Sequence, residues 1–402
     1  METSLKNMIK GDRVIWTILL LLSMLSMLIV YSATGALAFR QADGNTFYFL
    51  VRQMVFLGLG FGLILIMVNV IPVKFYSIIS RVVVIASILL LALAIGMKIT
   101  GLAGDSTGRT LNLGFLSFQP AEVAKLGLIM FTAKMLGIEQ NSREGLKNAF
   151  WKVLVFTVII CAMIAYSNVS TAMLLFATIM TMMFIGRVPL RYLLLLAVAG
   201  IGLIAVIYLY GDRMGKISQR FPTAQARLER FVNGDPAEEK GITQADYAKL
   251  AIYEGGIVGK GPGNSDVANY MAAAYNDFIY AIIIEEYGLI IGGAGVLMLY
   301  LIFFFRGVTI VRRANRTFPA FLVTGLTLLL TFQAMINMGV SAGVIPVTGQ
   351  PLPWVSMGGT SLLFTSVAFG CILSVSYQNQ KDKKVEAPAV QVIVPDEDQE
   401  MK

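Results

Sequence analysis

The sequence predicts an all-α polytopic membrane protein of about ten transmembrane helices, with a long extracytoplasmic loop between helices 7 and 8. Three observations carry that expectation. Apolar residues make up 56% of the chain and charged ones 14%, with a mean hydropathy of +0.73, values that suit a chain whose solvent is the bilayer. Runs of ~20 apolar residues, long enough to cross the hydrocarbon core as a helix, recur near residues 14–36, 53–72, 77–97, 122–139, 151–167, 170–187, 189–210, 277–305, 318–340 and 358–378. Lysine and arginine flank alternate connections between these runs, as the positive-inside rule requires.

Residues 1–13 form a basic N-terminal segment with Lys6, Lys10 and Arg13. Ala36-Leu37-Ala38 has the form of a signal-peptide cleavage site, but the apolar run before it is longer than such a signal needs and further spans follow, so the first span is expected to be retained. Residues 14–378 make the membrane domain. Basic residues gather at Lys74 and Arg81, at Arg143, Lys147 and Lys152, at Arg187 and Arg191, at Arg306, Arg312, Arg313 and Arg316, and at Lys381, Lys383 and Lys384. These sides, and both termini, are therefore expected in the cytoplasm. The connections at 167–169 and 341–357 carry neither Lys nor Arg and fall on the other face, with the long loop 211–276. Residues 379–402, basic and then acidic, read as a disordered cytoplasmic tail whose basic part can meet anionic membrane lipids.

Composition also excludes chemistry. The chain has no histidine, which removes histidine metal ligands, proton relays and a Ser-His-Asp site. Its net charge of +8 is spread over the cytoplasmic rims, with no basic tract interleaved with aromatics to suggest nucleic acid. Cys161 and Cys371 fall in apolar spans and imply neither disulfide nor metal.

Three polar blocks lie on the expected external side. The first runs from Arg109 and Thr110 through Phe118, Gln119, Pro120, Ala121 and Glu122 to Lys125. Pro120 suits a first helical turn, and Glu122 can pair with Lys125 one turn on. The block reads either as a well-made helix start or as cations, Arg109 and Lys125, offered to an anionic ligand. The second block is the loop 211–276, with Arg227, Arg230, Gln244, glycines at 255, 256, 259, 261 and 263, and Ser265. Such glycine density permits close approach of backbone to ligand, but without a strand before it this is no dinucleotide fingerprint. The loop delivers Asp277 to a helix mouth, while Glu285 and Glu286 lie ~12 Å deeper. By position alone Asp277 reads as a helix N-cap. The two glutamates are expected in buried ion pairs, because carboxylates at membrane depth usually find partners. The third block holds Gln333 and Asn337, then a proline- and glycine-rich stretch with Thr348, Ser356 and Ser361. It can be re-entrant, and its hydroxyls and amides suit sugar or phosphate oxygens.

In this order the blocks resemble the SEDS family of cell-wall polymerases, the family of FtsW, RodA and SpoVE. The stretch FQPAE is similar to that family's FQPSE, residues 244–288 resemble its glycine-rich segment ending in a paired glutamate, and PVTGQPLPWVSMGGTS is close to a further family signature. Tyr31-Ser32 matches its YS motif, and the resemblance spans residues 12–378.

The resemblance implies a peptidoglycan glycosyltransferase that polymerises lipid II on the outer face of the cytoplasmic membrane. It implies as partner a class B penicillin-binding protein, an FtsI-type transpeptidase, and other divisome proteins. Asp277 corresponds to the family's essential aspartate and would be the general base. Substrate would meet Arg109, Gln119, Glu122, Lys125, Arg227, Arg230, Gln244, Ser265, Gln333, Asn337, Thr348, Ser356 and Ser361. The pyrophosphate leaving group needs cations rather than a strong acid. No ligand cluster demands a metal, though a divalent cation, Mg2+ or Mn2+, held by pyrophosphate and a carboxylate fits the same chemistry. The chain departs from the family pattern at Thr110, where tryptophan is common, at Ala121, where FQPSE has a hydroxyl, and at Tyr247, where glutamine is frequent. Short termini and the first span favour the division branch over the elongation branch. Two competing readings are a lipid II flippase or transporter, against which stand the absence of an internal repeat and the edge location of the polar blocks, and a non-catalytic divisome scaffold.

Overall fold

The computed structural model describes residues 9–386 except 102–109, 113–116, 141, 217, 234–241 and 273. Among the described residues ten helical crossings make the bundle: α1 (Arg13–Ala33), α3 (Thr46–Asn69), α4 (Val73–Ile99), α5 (Pro120–Glu139), α6 (Arg143–Ala165), α7 (Val169–Ile185), α8 (Leu190–Tyr210), a composite of α11 (Ile279–Tyr287) and α12 (Gly295–Arg312), α13 (Thr317–Ser341) and α14 (Thr360–Glu386). Between them lie α2 (Gly35–Gln41), a two-stranded antiparallel ribbon of β1 (Leu111–Asn112) and β2 (Ser117–Phe118), α9 (Arg220–Asn233) and α10 (Gln244–Gly255).

Local chemistry starts several of these helices, α1, α5 and α7 within two residues of the expected spans and α6 eight residues before its expected start at 151. Asp12 caps α1 through Val14 N–H at 2.9 Å, Ser142 caps α6, and Asn168 caps α7. Pro120 opens α5, where its missing N–H costs nothing. Eight crossings are long and apolar enough to span a bilayer on their own account. The exceptions explain themselves by position. α7 has 17 residues, and α5 carries Glu122, Lys125, Lys134 and Glu139 but packs between α4, α6 and α13 with most of its surface buried. Charges on a central helix meet protein, not lipid. α8 is at the other extreme, with only Leu193 and Ile207 buried.

Because the crossings alternate, the connections 34–45, 100–119, 166–168, 211–278 and 342–359 share one end of the bundle, opposite both ends of the described chain. The long connection does not stay wholly outside. After α10, whose start is closed by a Thr243–Asp246 capping box, the chain runs antiparallel to α11. The Lys260 and Gly261 N–H groups donate to the Glu285 and Glu286 carbonyls at 2.9 Å each, and Leu289 N–H donates to the Gly256 carbonyl at 2.9 Å. That contact lies about nine residues, ~14 Å, along the helix from Ile279. The glycine-rich loop is therefore re-entrant, as is expected only where irregular backbone is satisfied by protein. Gly288, at φ +75°, is where it docks: a Cβ there would collide with the Ile257 carbonyl. A π-helical segment, Gly288–Ala294, joins α11 to α12 at this contact.

The expected tail boundary moves. α14 continues to Glu386, past residue 378, because Asn379 Nδ2 donates to the Ile310 carbonyl at 3.0 Å and Gln380 Nε2 to the Gly11 carbonyl at 3.0 Å. The remaining tail, 387–402, and residues 1–8 lie outside the described residues.

Candidate functional site

A cavity of about 420 Å³ opens at the end of the bundle where the five connections meet. Its walls come from the starts of α3, α5, α7 and α14, from α2, and from the turn before α11 that carries Asp277. That turn decides the first question about Asp277. The residue before α11 is Phe278 and no side chain caps the helix, so Asp277 is not the N-cap that its position suggests.

Asp277 is held through its backbone carbonyl. Asn337 on α13, fully buried, donates from Nδ2 to the Asp277 carbonyl at 2.9 Å and to the Gln350 carbonyl at 2.8 Å. Gln350 in turn donates to Thr171 Oγ1 at 2.7 Å. Opposite the carboxylate sits Gly349, at φ +67°, where a Cβ would stand 3.3 Å from Asp277 Oδ2. Trp354, with its indole N–H bonded to Ser23 Oγ at 2.7 Å, pins the same irregular segment to α1 although its own φ is +69°.

Cations approach from two sides. Arg52 of α3 lines the cavity and lies 6.0 Å from the Phe56 ring centre. Arg227 of α9 donates to the Val347 carbonyl at 3.2 Å and lies within electrostatic reach of Asp277. Burial pushes its pKa below the usual arginine value; Asp277 opposes that shift and Arg220 and Arg230 add to it. Tyr275, on the cavity wall, is held neutral more firmly than usual, first by burial and then by the Asp277 charge, with Arg52 acting the other way.

A second cavity of about 360 Å³ adjoins the first, sharing Asn168 as a wall. Its character differs: Met173, Leu174, Ile204, Ile207, Ile336 and Ile345 make it apolar, with Arg220, Arg227 and Thr348 at its polar edge. The Thr348–Gly349 peptide thus separates a polar chamber from an apolar one.

The remaining expected residues divide. Gln119, Glu122 and Ser361 line the Asp277 cavity. Lys125 does not: buried, it pairs with Glu122 at 2.9 Å and reaches Gln333 Oε1 at 3.5 Å, so its charge is already balanced. Gln333 and Ser356 also turn inward, Gln333 Nε2 to the Pro351 carbonyl at 3.0 Å and Ser356 Oγ to the Asn276 carbonyl at 2.7 Å. Both build the loop rather than face a ligand. Gln244 and Arg230 are exposed and line neither cavity. Arg109 lies outside the described residues.

Ser265 belongs to a different cluster. Its hydroxyl bonds the buried Glu285 carboxylate, which also accepts from Asp266 N–H at 3.0 Å and pairs with Lys260 at 3.1 Å. Lys260 further pairs with Glu254 and, at 2.8 Å, with Asp266. Glu254, Asp266 and Glu285 have the spacing of a cation site, and the ammonium of Lys260 is bonded to all three. Glu285 therefore sits in the expected buried ion pair. Glu286 instead accepts from Ser32 Oγ of the YS motif and has no ion-pair partner among the described residues.

Sequence reading missed Arg52, Gln53, Tyr275 and Asn168. Arg52 and Gln53 lie in the first turns of an apolar span and look like a membrane-boundary anchor. Only the fold turns them toward Asp277.

A family model described as a cell cycle protein, that of FtsW, RodA and SpoVE, matches residues 12–381. The chain belongs to the FtsW/RodA/SpoVE family. It is 30% identical over 375 residues to the probable peptidoglycan glycosyltransferase FtsW of Coxiella burnetii, covering 91% of this chain and 96% of that one. To stage V sporulation protein E of Bacillus subtilis it is 29% identical over 374 residues, with the same coverage of both chains. Among solved structures, RodA of Thermus thermophilus superposes with a TM-score of 0.65 at 23% identity, covering 93% of this chain and 99% of that one. A peptidoglycan synthase complex, solved for how polymerization and crosslinking are coordinated, contains a chain with TM-score 0.68 at 24% identity, covering 92% and 99%. The bundle described above is thus the FtsW/RodA/SpoVE fold, that of a multi-pass membrane protein.

Proposed function

We propose that this chain is a peptidoglycan glycosyltransferase that polymerises lipid II on the outer face of the cytoplasmic membrane. The observation that carries the proposal is the carboxylate of Asp277 on the wall of a polar cavity that Arg52 also lines, within reach of Arg227 and next to an apolar chamber. A substrate made of sugars, pyrophosphate and a long isoprenoid needs that combination: polar room, cations between, and an apolar trough.

In the proposed reaction the GlcNAc 4-hydroxyl of the acceptor attacks the anomeric carbon of the donor MurNAc. The new C–O bond forms as the bond to undecaprenyl pyrophosphate breaks, with inversion, and Asp277 takes the hydroxyl proton. Arg52 and Arg227 offset the charge that grows on the pyrophosphate, as fixed cations do for a developing anion. Asn337 and Gly349 position the base, the first by fixing its backbone and the second by leaving room for its carboxylate. A divalent cation, Mg2+ or Mn2+, would be held in this cavity by Asp277 or Glu122 and would supply further positive charge to the leaving pyrophosphate. Chelation by EDTA should then abolish polymerisation and either metal restore it; full activity in EDTA removes the metal from the scheme.

The proposed setting is the division septum, in complex with a class B penicillin-binding protein of the FtsI type and other divisome proteins, with both termini cytoplasmic. The FtsW names of the relatives support the division branch, and the synthase complex with a similar chain supports a transpeptidase partner. The test is polymerisation of labelled lipid II by the purified protein with its transpeptidase. Asp277→Asn should slow chain formation by about 10²–10⁴-fold at unchanged membrane abundance, and undiminished chains would sink the assignment.

A further inference from the structure

At the end of the bundle that carries both ends of the described chain, α4, α5 and α6 enclose a cleft of about 460 Å³. Its lining is graded along the membrane normal. On α4 Arg81 precedes Val84 and Ile85, on α6 Lys152 precedes Val155 and Phe156, and on α5 Glu139, beside Ile138, lies beyond Met135 and Phe131. On each helix the charged lining residue is thus nearer that end than the apolar residues one or two turns deeper.

The charges at the rim do not balance. Lys152 pairs with Glu139 at 3.0 Å. Lys134, one turn before the end of α5, donates to the Ser77 carbonyl at 2.7 Å, and Arg81 is close enough to it for their charges to interact unfavourably. Among the described residues no carboxylate and no hydrogen-bond acceptor meets the Arg81 guanidinium. Three cations therefore share one carboxylate, and an arginine at a membrane boundary without a protein partner calls for an anion.

We propose that this cleft binds an anionic glycerophospholipid from the surrounding leaflet, its headgroup phosphate on Arg81 and one acyl chain along the wall formed by Val84, Phe131 and Val155. Charge complementarity selects this occupant. A zwitterionic phospholipid brings a cationic headgroup of its own to a rim that already holds Arg81, Lys134 and Lys152 against Glu139, and inorganic phosphate leaves the apolar walls unfilled. The site is at the opposite end of the bundle from Asp277, so the bound lipid is not the substrate of the proposed transferase. It closes the gap between α4 and α6 beside the central helix α5.

The test is native mass spectrometry of the full chain in detergent, with phosphatidylglycerol or phosphatidylcholine of identical acyl chains. Wild type should retain phosphatidylglycerol in preference to phosphatidylcholine. Arg81→Gln should cut that retention about fivefold, the value of one cation near an anionic surface. Val155→Trp should displace the lipid by filling the cleft from a position that is 54% exposed and so tolerates bulk; it also serves if Arg81→Gln does not fold. Equal retention of the two lipids by wild type, or undiminished phosphatidylglycerol on either folded variant, overturns the proposal.

Discussion

Asp277 and Arg52 reach the same cavity by different means, and the difference predicts different failures. Arg52 offers its guanidinium to the cavity directly, whereas Asn337 acts only through the backbone of Asp277 and Gln350. Arg52→Gln removes the charged contact to pyrophosphate that the proposed scheme assigns to it, an interaction worth roughly 1.5–3 kcal/mol, and should raise KM for lipid II by about tenfold or more with a smaller change in kcat. Asn337→Leu keeps volume but leaves two buried carbonyls without a donor, at a cost of roughly 1–3 kcal/mol. It should lower kcat by up to about 10²-fold, because a misplaced base loses the reacting geometry, while KM stays near its wild-type value. Steady-state kinetics on both variants checks the division; a shared effect on one parameter would show that Asn337 touches substrate or that Arg52 does not. Neither role was legible from residue type. Asn337 was expected to face substrate, and only its bonds to residues 13 and 60 positions away make it a positioning group.

Among the elements, the re-entrant loop after α10 depends on a charge cluster that its helices alone cannot provide. Glu285 is fully buried and balanced by Lys260, Ser265 and two backbone N–H groups. Removing one partner of a buried pair strands the other charge, at a cost that approaches about 3–5 kcal/mol when both are desolvated; Lys260 is 25% exposed, so the lower part of that range applies. Lys260→Met should therefore lower the thermal stability of the membrane-extracted protein strongly in the wild-type background and much less in a Glu285→Gln background. A double-mutant cycle showing equal effects in both backgrounds would exclude the coupling. The burial of Glu285 was legible in the sequence, since a carboxylate deep in an apolar span must find a partner. The partner was not. Lys260 sits 25 residues away in a loop of mixed polarity, and glycine spacing announces close backbone approach without saying to what. Gly255, Gly259 and Gly288 prove to face backbone of the opposing segment rather than a ligand.

For the whole molecule, continuous apolar runs made the ten crossings legible, even for α5 and α7, which are too charged or too short to stand alone. The grouping of the polar blocks at one end follows from counting crossings. What the count cannot supply is which end faces outward, and the proposed polymerisation depends on it: lipid II must meet Asp277 on the side where glycan strands accumulate. Arg143, Lys147, Arg187, Arg191, Arg312, Arg313 and Arg316 all lie at the end opposite Asp277, and short connections rich in Lys and Arg stay in the cytoplasm. The prediction is read with single cysteines in a Cys161→Ser, Cys371→Ala background. Gln219→Cys, exposed between α8 and α9 on the Asp277 side, should react with a membrane-impermeant maleimide in intact spheroplasts. Lys147→Cys, exposed near the start of α6, should react only after lysis. The reverse pattern would put the Asp277 cavity in the cytoplasm, where an extracytoplasmic polymerase cannot work, and would turn the same two chambers into the inner mouth of a carrier for the lipid.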